Sequence, residues 1–169
     1  MPLIIEDGSI VPGADSYVSR ADYIIFAEKN GITLVDGDEL DVQLRQAAEY
    51  IDQHEQNLIG YRVERDQPMA YPRYDLYIND FYWANDEIPT QVIDAQLWYA
   101  LDISAGVSLW NRPNNPNQLV KSERVEGAVK VEYAVGDSSG SSTRQYSQGD
   151  SIMSQLLRAS YMRISGVRA

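Results

Sequence analysis

The sequence predicts a mainly α protein: a small bundle of about four helices, one β-hairpin and a long ordered loop rich in Pro, Tyr and Arg. Three observations carry this. Apolar residues recur at helical spacing over 39–56 and again over 89–106. Apolar and polar residues alternate on both sides of Glu126-Gly127, a two-residue connection suited to a hairpin. Between the helical patterns lies Gly60–Asp75, GYRVERDQPMAYPRYD, which cannot be helix. Pro68 and Pro72 lack backbone donors and drive Gln67 and Tyr71 toward extended conformations. A loop this long is functional or disordered. Its tyrosines argue for order, because disordered segments are poor in aromatics.

In chain order, residues 1–18 read as a short extended arm, with Leu3, Ile4, Ile5, Ile10 and Val11 interrupted by Gly8, Pro12 and Gly13. Ser19 is placed to cap a first helix over about 20–29, with Asp22 in its first turn and Asn30-Gly31 as its stop. Asp38 reads as the cap of the second helix, 39–56. Its stripe is Leu40, Leu44, Ala47, Ala48 and Ile51, and Asp41, Arg45, Glu49 and Asp52 fall on the opposite face. Arg45 and Glu49 stand four apart and could pair, for a few tenths of a kcal/mol. The two Asn-Asp pairs of LYINDFYWANDE, 76–87, predict turns rather than a long strand. Pro89 suits the first position of a third helix, 89–106, whose apolar surface wraps most of the way round and so belongs at the centre. Beyond the NRPNNPN linker come the hairpin of 119–135, a Ser/Gly-rich flexible linker over 136–149, and a last amphipathic helix over 151–165. The domain organisation expected is a core of 1–135, the linker, and 150–169 as a helix and tail that docks elsewhere.

The chain has 169 residues, no cysteine and a net charge of −11. Disulfides and thiolate chemistry are excluded. No run of eighteen apolar residues and no basic leader occur, so neither a membrane partner nor a secretory signal is expected. Residues 1–117 hold 20 acids and 7 bases, while 118–169 hold 5 and 7. So acidic a chain speaks against gripping nucleic acid, which needs a basic footprint. Gly136-Asp137-Ser138-Ser139-Gly140 matches the G-x-S-x-G nucleophile pattern, but the single histidine, His54, precedes it and the surroundings are linker. Asp36–Asp41 invites a calcium reading, yet the sixth position is Asp41 instead of glycine and the twelfth is Ala47 instead of glutamate. No catalytic residue, metal ligand or cofactor is expected.

A series of landmarks remains: Gly13-x-x-Ser16-Tyr17-Val18-Ser19, Gly60, Gln67-x-x-x-Tyr71-Pro72-Arg73, Ile88-Pro89-x-x-Val92-x-x-Ala95, Lys121-Ser122-Glu123, Glu126-Gly127 and Val131-Glu132-Tyr133. In this order, over roughly 13–135, the chain resembles the head–tail connector (adaptor, head-completion) proteins of tailed bacteriophages. That family also carries a primosomal, single-strand-binding-like label. Tyr71 stands where the family has tryptophan, so the ring is kept. The resemblance implies a non-enzymatic virion protein at the head–tail interface, assembled in the host cytoplasm. It would form a ring, commonly of twelve copies, under the portal protein. Its other partners would be a tail, stopper or tail-terminator protein, with genomic double-stranded DNA sliding past an acidic lumen. The alternative reading is a single-stranded-DNA-binding replication accessory protein.

Arg and Tyr dominate interface hot spots. The interface expected is therefore Tyr61, Arg62, Arg65, Tyr71, Arg73 and Tyr74 in the loop. Arg158, Tyr161, Arg163 and Arg168 would add to it at the C-terminal end, docking on the portal. The same loop could equally just close its own domain over the helices.

Overall fold

The structure, a computed structural model, describes residues 2–110 and 147–158. Within these it is mainly helical, with four helices and two short antiparallel hairpins. The hairpin expected at 119–135 and the GDSSG string lie outside the described residues, as does the linker up to residue 146.

The N-terminal arm is held by a buried carboxylate. Glu6 accepts the N–H groups of Gly8, Ile10 and Val11 at 2.9–3.0 Å, closing the turn, while its own N–H donates to the Ser16 carbonyl at 2.8 Å. Helix α1, Arg20–Lys29, starts at Ser19, whose hydroxyl accepts from the Asp22 N–H at 3.2 Å, and stops at Asn30 and Gly31. Helix α2 runs Asp38–Asp52, with Gly37 in the cap position expected for Asp38. The Asp38 carboxylate is occupied elsewhere. Arg20 reaches Asp36 and Asp38 at 3.2 Å and grips Asp41 through two bonds at 2.6 and 2.7 Å. The acidic run is thus the counter-charge of one arginine. Asp41, expected on the solvent face, is buried, and the Arg20 guanidinium holds its carboxyl below the usual range. Arg45 reaches back to Asp15 at 2.6 Å.

Helix α3, Thr90–Ser104, is the central element, and it buries Val92, Ala95, Gln96, Leu97, Tyr99, Ala100 and Leu101. Trp98 meets Phe26 of α1 edge-on at 5.3 Å, and Tyr99 meets Tyr50 of α2 at 4.8 Å. Against α3 packs α4, Gln148–Met153, opened by a capping box of Ser147 and Asp150. Gly149 lies flat on the Tyr99 ring, so close that a Cβ there would come within 2.7 Å of ring carbons. The helix expected over 151–165 ends earlier. A 3-10 turn, Ser154–Leu156, buries Leu156, and Leu157 then pairs with Leu58 in an antiparallel bridge. Once Met153 and Leu156 have reached the core, the backbone is better satisfied by the chain at 57–59 than by another helical turn: Ile59 N–H bonds Leu156 O and Arg158 N–H bonds Asn57 O.

One buried contact makes stability depend on pH. Asp52, half-buried at the end of α2, accepts from the Tyr17 hydroxyl at 2.7 Å and the Ala70 N–H at 3.2 Å. Burial pushes its carboxyl up from 3.8 to about 6. Between those values the folded chain holds the proton that the unfolded chain releases, so this group's contribution is full at low pH and is lost as pH rises through about 6. An asparagine in its place would keep the acceptor oxygen without the charge. The expected result for Asp52→Asn is a gain over the parent of about 1 kcal/mol above pH 6 that vanishes near pH 4. The ceiling for such a shift is about 3 kcal/mol, reduced here because the carboxylate retains part of its water. Urea denaturation at the two pH values measures it; a gain that is equal at both would refute the assignment to ionisation.

Candidate functional site

The segment 60–75 is an ordered loop whose feet are zipped by a two-residue antiparallel ladder, β1 (Tyr61–Arg62) with β2 (Arg73–Tyr74). Its inner side is a hydrogen-bond lattice. Buried Gln67 accepts from the Val63 and Glu64 N–H groups at 3.0 Å and donates to the Met69 and Pro72 carbonyls at 2.8 and 3.0 Å, using its full capacity. Arg73 is also buried. Its Nε donates to Ile59 O at 2.8 Å, one terminal nitrogen to Ala70 O at 3.2 Å and the other to Gly60 O at 2.9 Å. Tyr71 is fully buried, edge-on to Tyr17 at 6.3 Å, with Arg73 over its ring. Burial raises the Tyr71 phenol pKa, and its hydroxyl has no partner among the described residues. Arg62 is ion-paired with Glu55 and donates to Gln67 O at 2.7 Å.

Of the six loop residues expected at an interface, Tyr71 and Arg73 are therefore interior and Arg62 is a strut. Only Tyr61, Arg65 and Tyr74 face outward. Arg65 is almost fully exposed, with Asp66 at 4.0 Å. Arg158 is also exposed, and Tyr161, Arg163 and Arg168 lie outside the described residues.

The outward face has a second component that the sequence reading passed over. Immediately after the loop, β3 (Leu76–Ile78) pairs with β4 (Phe81–Trp83). The turn between them is Asn79-Asp80, with φ of 51° and 67°, the paired positive values that a tight hairpin turn requires. Leu76 and Ile78 point into the core, so Tyr77 points out together with its cross-strand partner Tyr82, while Phe81, opposite Ile78 on the other side of the ladder, is exposed at the hairpin tip. Tyr61 lies against Tyr74 at 5.5 Å and Tyr77 against Tyr82 at 5.4 Å, each a cross-strand pair in register. Five large aromatic rings are thus about half or more exposed within 22 residues of sequence, 61–82. The signal was legible in principle: alternation of Leu76, Tyr77 and Ile78 about an Asn-Asp turn.

Beside these rings is a cleft of about 260 Å³ lined by Ile59, Gly60, Tyr61, Asp75, Tyr77 and Arg158. Gly60 has φ of +69°, and a Cβ on it would meet the Tyr74 carbonyl at 2.8 Å, so glycine is required at this corner. Arg158 donates to Leu58 O at 2.9 Å and Gly60 O at 3.4 Å, and its guanidinium lies 5.3 Å from the Tyr61 ring centre. Arg73 and Arg158 thus converge on one carbonyl, and among the described residues neither has a carboxylate partner within salt-bridge distance. Most of the acid excess is elsewhere in the chain: residues 1–54 hold 11 acids and 3 bases, whereas 55–83 hold 5 and 3. Among the described residues no cluster suited to a metal ion occurs, and no helix is long and apolar enough to cross a membrane. His54 lies against Tyr50, its Nδ1 2.8 Å from the Tyr50 carbonyl oxygen, on the helical scaffold.

No curated protein and no solved structure matches this chain. A family model does, over residues 1–169, described as "Putative DnaT-like ssDNA binding protein". This overturns the head–tail connector reading together with its portal, tail, stopper or terminator partners, its twelve-copy ring and the double-stranded genome in its channel. The physical reason is visible in the landmarks. Ser16, Gln67, Tyr71 and Arg73 are all buried; Ser16, Gln67 and Arg73 spend their side-chain polar groups on the chain itself and the Tyr71 ring packs against Tyr17, so they report how the domain is held together and carry nothing about what it touches. Matched along its whole length, the chain belongs to the DnaT-like single-stranded-DNA-binding family.

Proposed function

We propose that this protein binds single-stranded DNA as a non-catalytic accessory of replication, holding unpaired bases against the tyrosine face of its two hairpins. The observation that carries this is the pair of exposed cross-strand tyrosine couples, Tyr61–Tyr74 and Tyr77–Tyr82, with exposed Phe81 at the tip of the second hairpin, near two guanidiniums without carboxylate partners among the described residues. Every base has a π-face, so stacking on such rings is tolerant of sequence and contributes about 1–3 kcal/mol per base. It needs the bases unpaired. The acidic total is compatible because the affinity rests on stacking, with few phosphates neutralised. Its partners are DNA and the proteins that act on it during replication.

The test is fluorescence anisotropy with labelled oligo-dT, alongside a duplex carrying the same label. The single strand is expected to bind and the duplex to bind much more weakly. With one or two phosphates neutralised, log K should fall against log salt with a slope of only about −0.7 to −1.4. Absence of binding at low salt, or equal binding of the duplex, would sink the reading.

A further inference from the structure

We infer that the cleft between the two hairpins is a one-nucleotide subsite, taking the phosphate on Arg158 and the base against Tyr77. This deepens the single-strand reading and rests on it. The cleft's volume, about 260 Å³, is just below the roughly 300 Å³ at which pockets for drug-sized ligands begin, which is too small for a base pair. Its lining combines one apolar side chain, Ile59, two aromatic rings, one guanidinium and one carboxylate. Arg158 uses two of its five N–H donors on the Leu58 and Gly60 carbonyls. Among the described residues the other three are uncommitted, and the guanidinium lies over the Tyr61 ring, 5.3 Å from its centre. A fork held in this way is suited to two oxygens of a phosphate. Buried Arg73, bonded to the same Gly60 carbonyl, adds positive charge beneath it.

Tyr77 is more than half exposed at the cleft's edge and offers a ring face. Asp75 opposes a large anion, so the site favours a single phosphate over a polyphosphate and has an acceptor for the N–H groups of a base. A flat ring, one phosphate and N–H donors together describe a nucleotide unit of an unpaired strand. The part of the chain that brings Arg158 here is the C-terminal strap, bridged at Leu157 to Leu58.

The full chain is titrated with dTMP, thymidine and dTTP, read by tyrosine fluorescence and by displacement of labelled oligo-dT. The expected result is that dTMP binds about tenfold more tightly than thymidine, as one charge-assisted phosphate contact implies, and that dTTP gains nothing over dTMP. Tyr77→Ala should weaken oligo-dT binding roughly tenfold. Arg158→Gln should erase the preference for dTMP over thymidine, and Arg158→Lys should restore only part of it. The exposed Tyr77 variant guards against a misfolded Arg158 variant. Binding of dTTP above dTMP would mark a plain anion site and overturn the inference, as would variants that bind like the parent. Loss of oligo-dT binding in Tyr82→Ala alone, with Tyr77→Ala unaffected, would keep single-strand binding and move it off this cleft. Should the parent bind no oligo-dT, the functional reading fails, and the dTMP titration still decides the subsite.

Discussion

Replacing Arg73 by methionine is expected to lower the unfolding free energy by about 3 kcal/mol and to loosen the 60–75 loop selectively. Methionine fills much of the arginine's volume, so the cavity cost is small and the change isolates the hydrogen bonds. Three carbonyls lose their donor: Ile59 and Ala70 entirely, while Gly60 keeps the longer bond from Arg158 at 3.4 Å. Each buried carbonyl left bare costs about 1–3 kcal/mol. Against this stands the relief of a buried guanidinium, whose pKa is lowered first of all by burial. Replacing a buried charge by an apolar side chain can be neutral when its partners are replaced as well. Here the partners are backbone atoms that stay where they are, so the loss wins. Because those carbonyls lie at the entry (59–60) and the turn (70) of the loop, the loop opens before the helices do. Hydrogen exchange should quicken at 61–74 with α2 and α3 still protected, and oligo-dT affinity should fall along with the Tyr61–Tyr74 pairing. Unchanged urea midpoint and exchange in the methionine variant would mean that water already satisfies these carbonyls in the native protein.

That lattice also shows where sequence reading succeeds and stops. The α2 stripe was legible because helical periodicity is local: Leu40, Leu44, Ala47, Ala48 and Ile51 are all buried as the spacing requires. The Ser19 cap, the Asn30-Gly31 stop and the exclusion of helix from 60–75 followed from side-chain chemistry equally local. The sorting of that loop's residues did not. Tyr71 and Tyr74 are the same residue type three apart, yet one fills the core against Tyr17 and the other is half exposed. Arg62, Arg65 and Arg73 likewise divide into a strut, a solvated charge and a buried clamp, decided by partners such as Glu55 and Ile59 that no short-range pattern names. At 76–83 the Asn79-Asp80 turn was legible, but strands of three residues on either side are too short for their alternation to announce a hairpin. Net charge is a coarse guide for a different reason. A sum over 169 residues conceals that most of the excess lies in 1–54, partly cancelled there by Arg20 against Asp36, Asp38 and Asp41.

Gln96→Leu is expected to cost about 2–3 kcal/mol, lowering Tm by roughly 5–10 °C, although leucine matches glutamine in size and the site is fully buried. Gln96 is where α3, α2 and the N-terminal arm are joined. Its Oε1 accepts the Tyr17 N–H at 3.0 Å, and its Nε2 donates to Ser16 Oγ and to the Leu44 carbonyl at 2.8 Å. The losses are unequal. Ser16 Oγ keeps its bonds to Val18 O and Val18 N–H, and Leu44 O lies inside α2, where a helical carbonyl already has its intrahelical donor. The Tyr17 N–H is left with nothing, an orphaned buried donor, and it sets the size of the effect. Glutamate at this position separates the two roles. Its carboxylate restores the acceptor for Tyr17 but turns an oxygen toward the Leu44 carbonyl, so Gln96→Glu should be less stable than the parent at pH 7. Its folded-state pKa is raised by burial and by that carbonyl, so the deficit should shrink as pH falls and the protonated acid donates where the amide did. Denaturation of both variants across pH 4–8 checks this. A leucine variant as stable as the parent, or a glutamate variant indifferent to pH, would show that the three elements are joined by apolar packing alone.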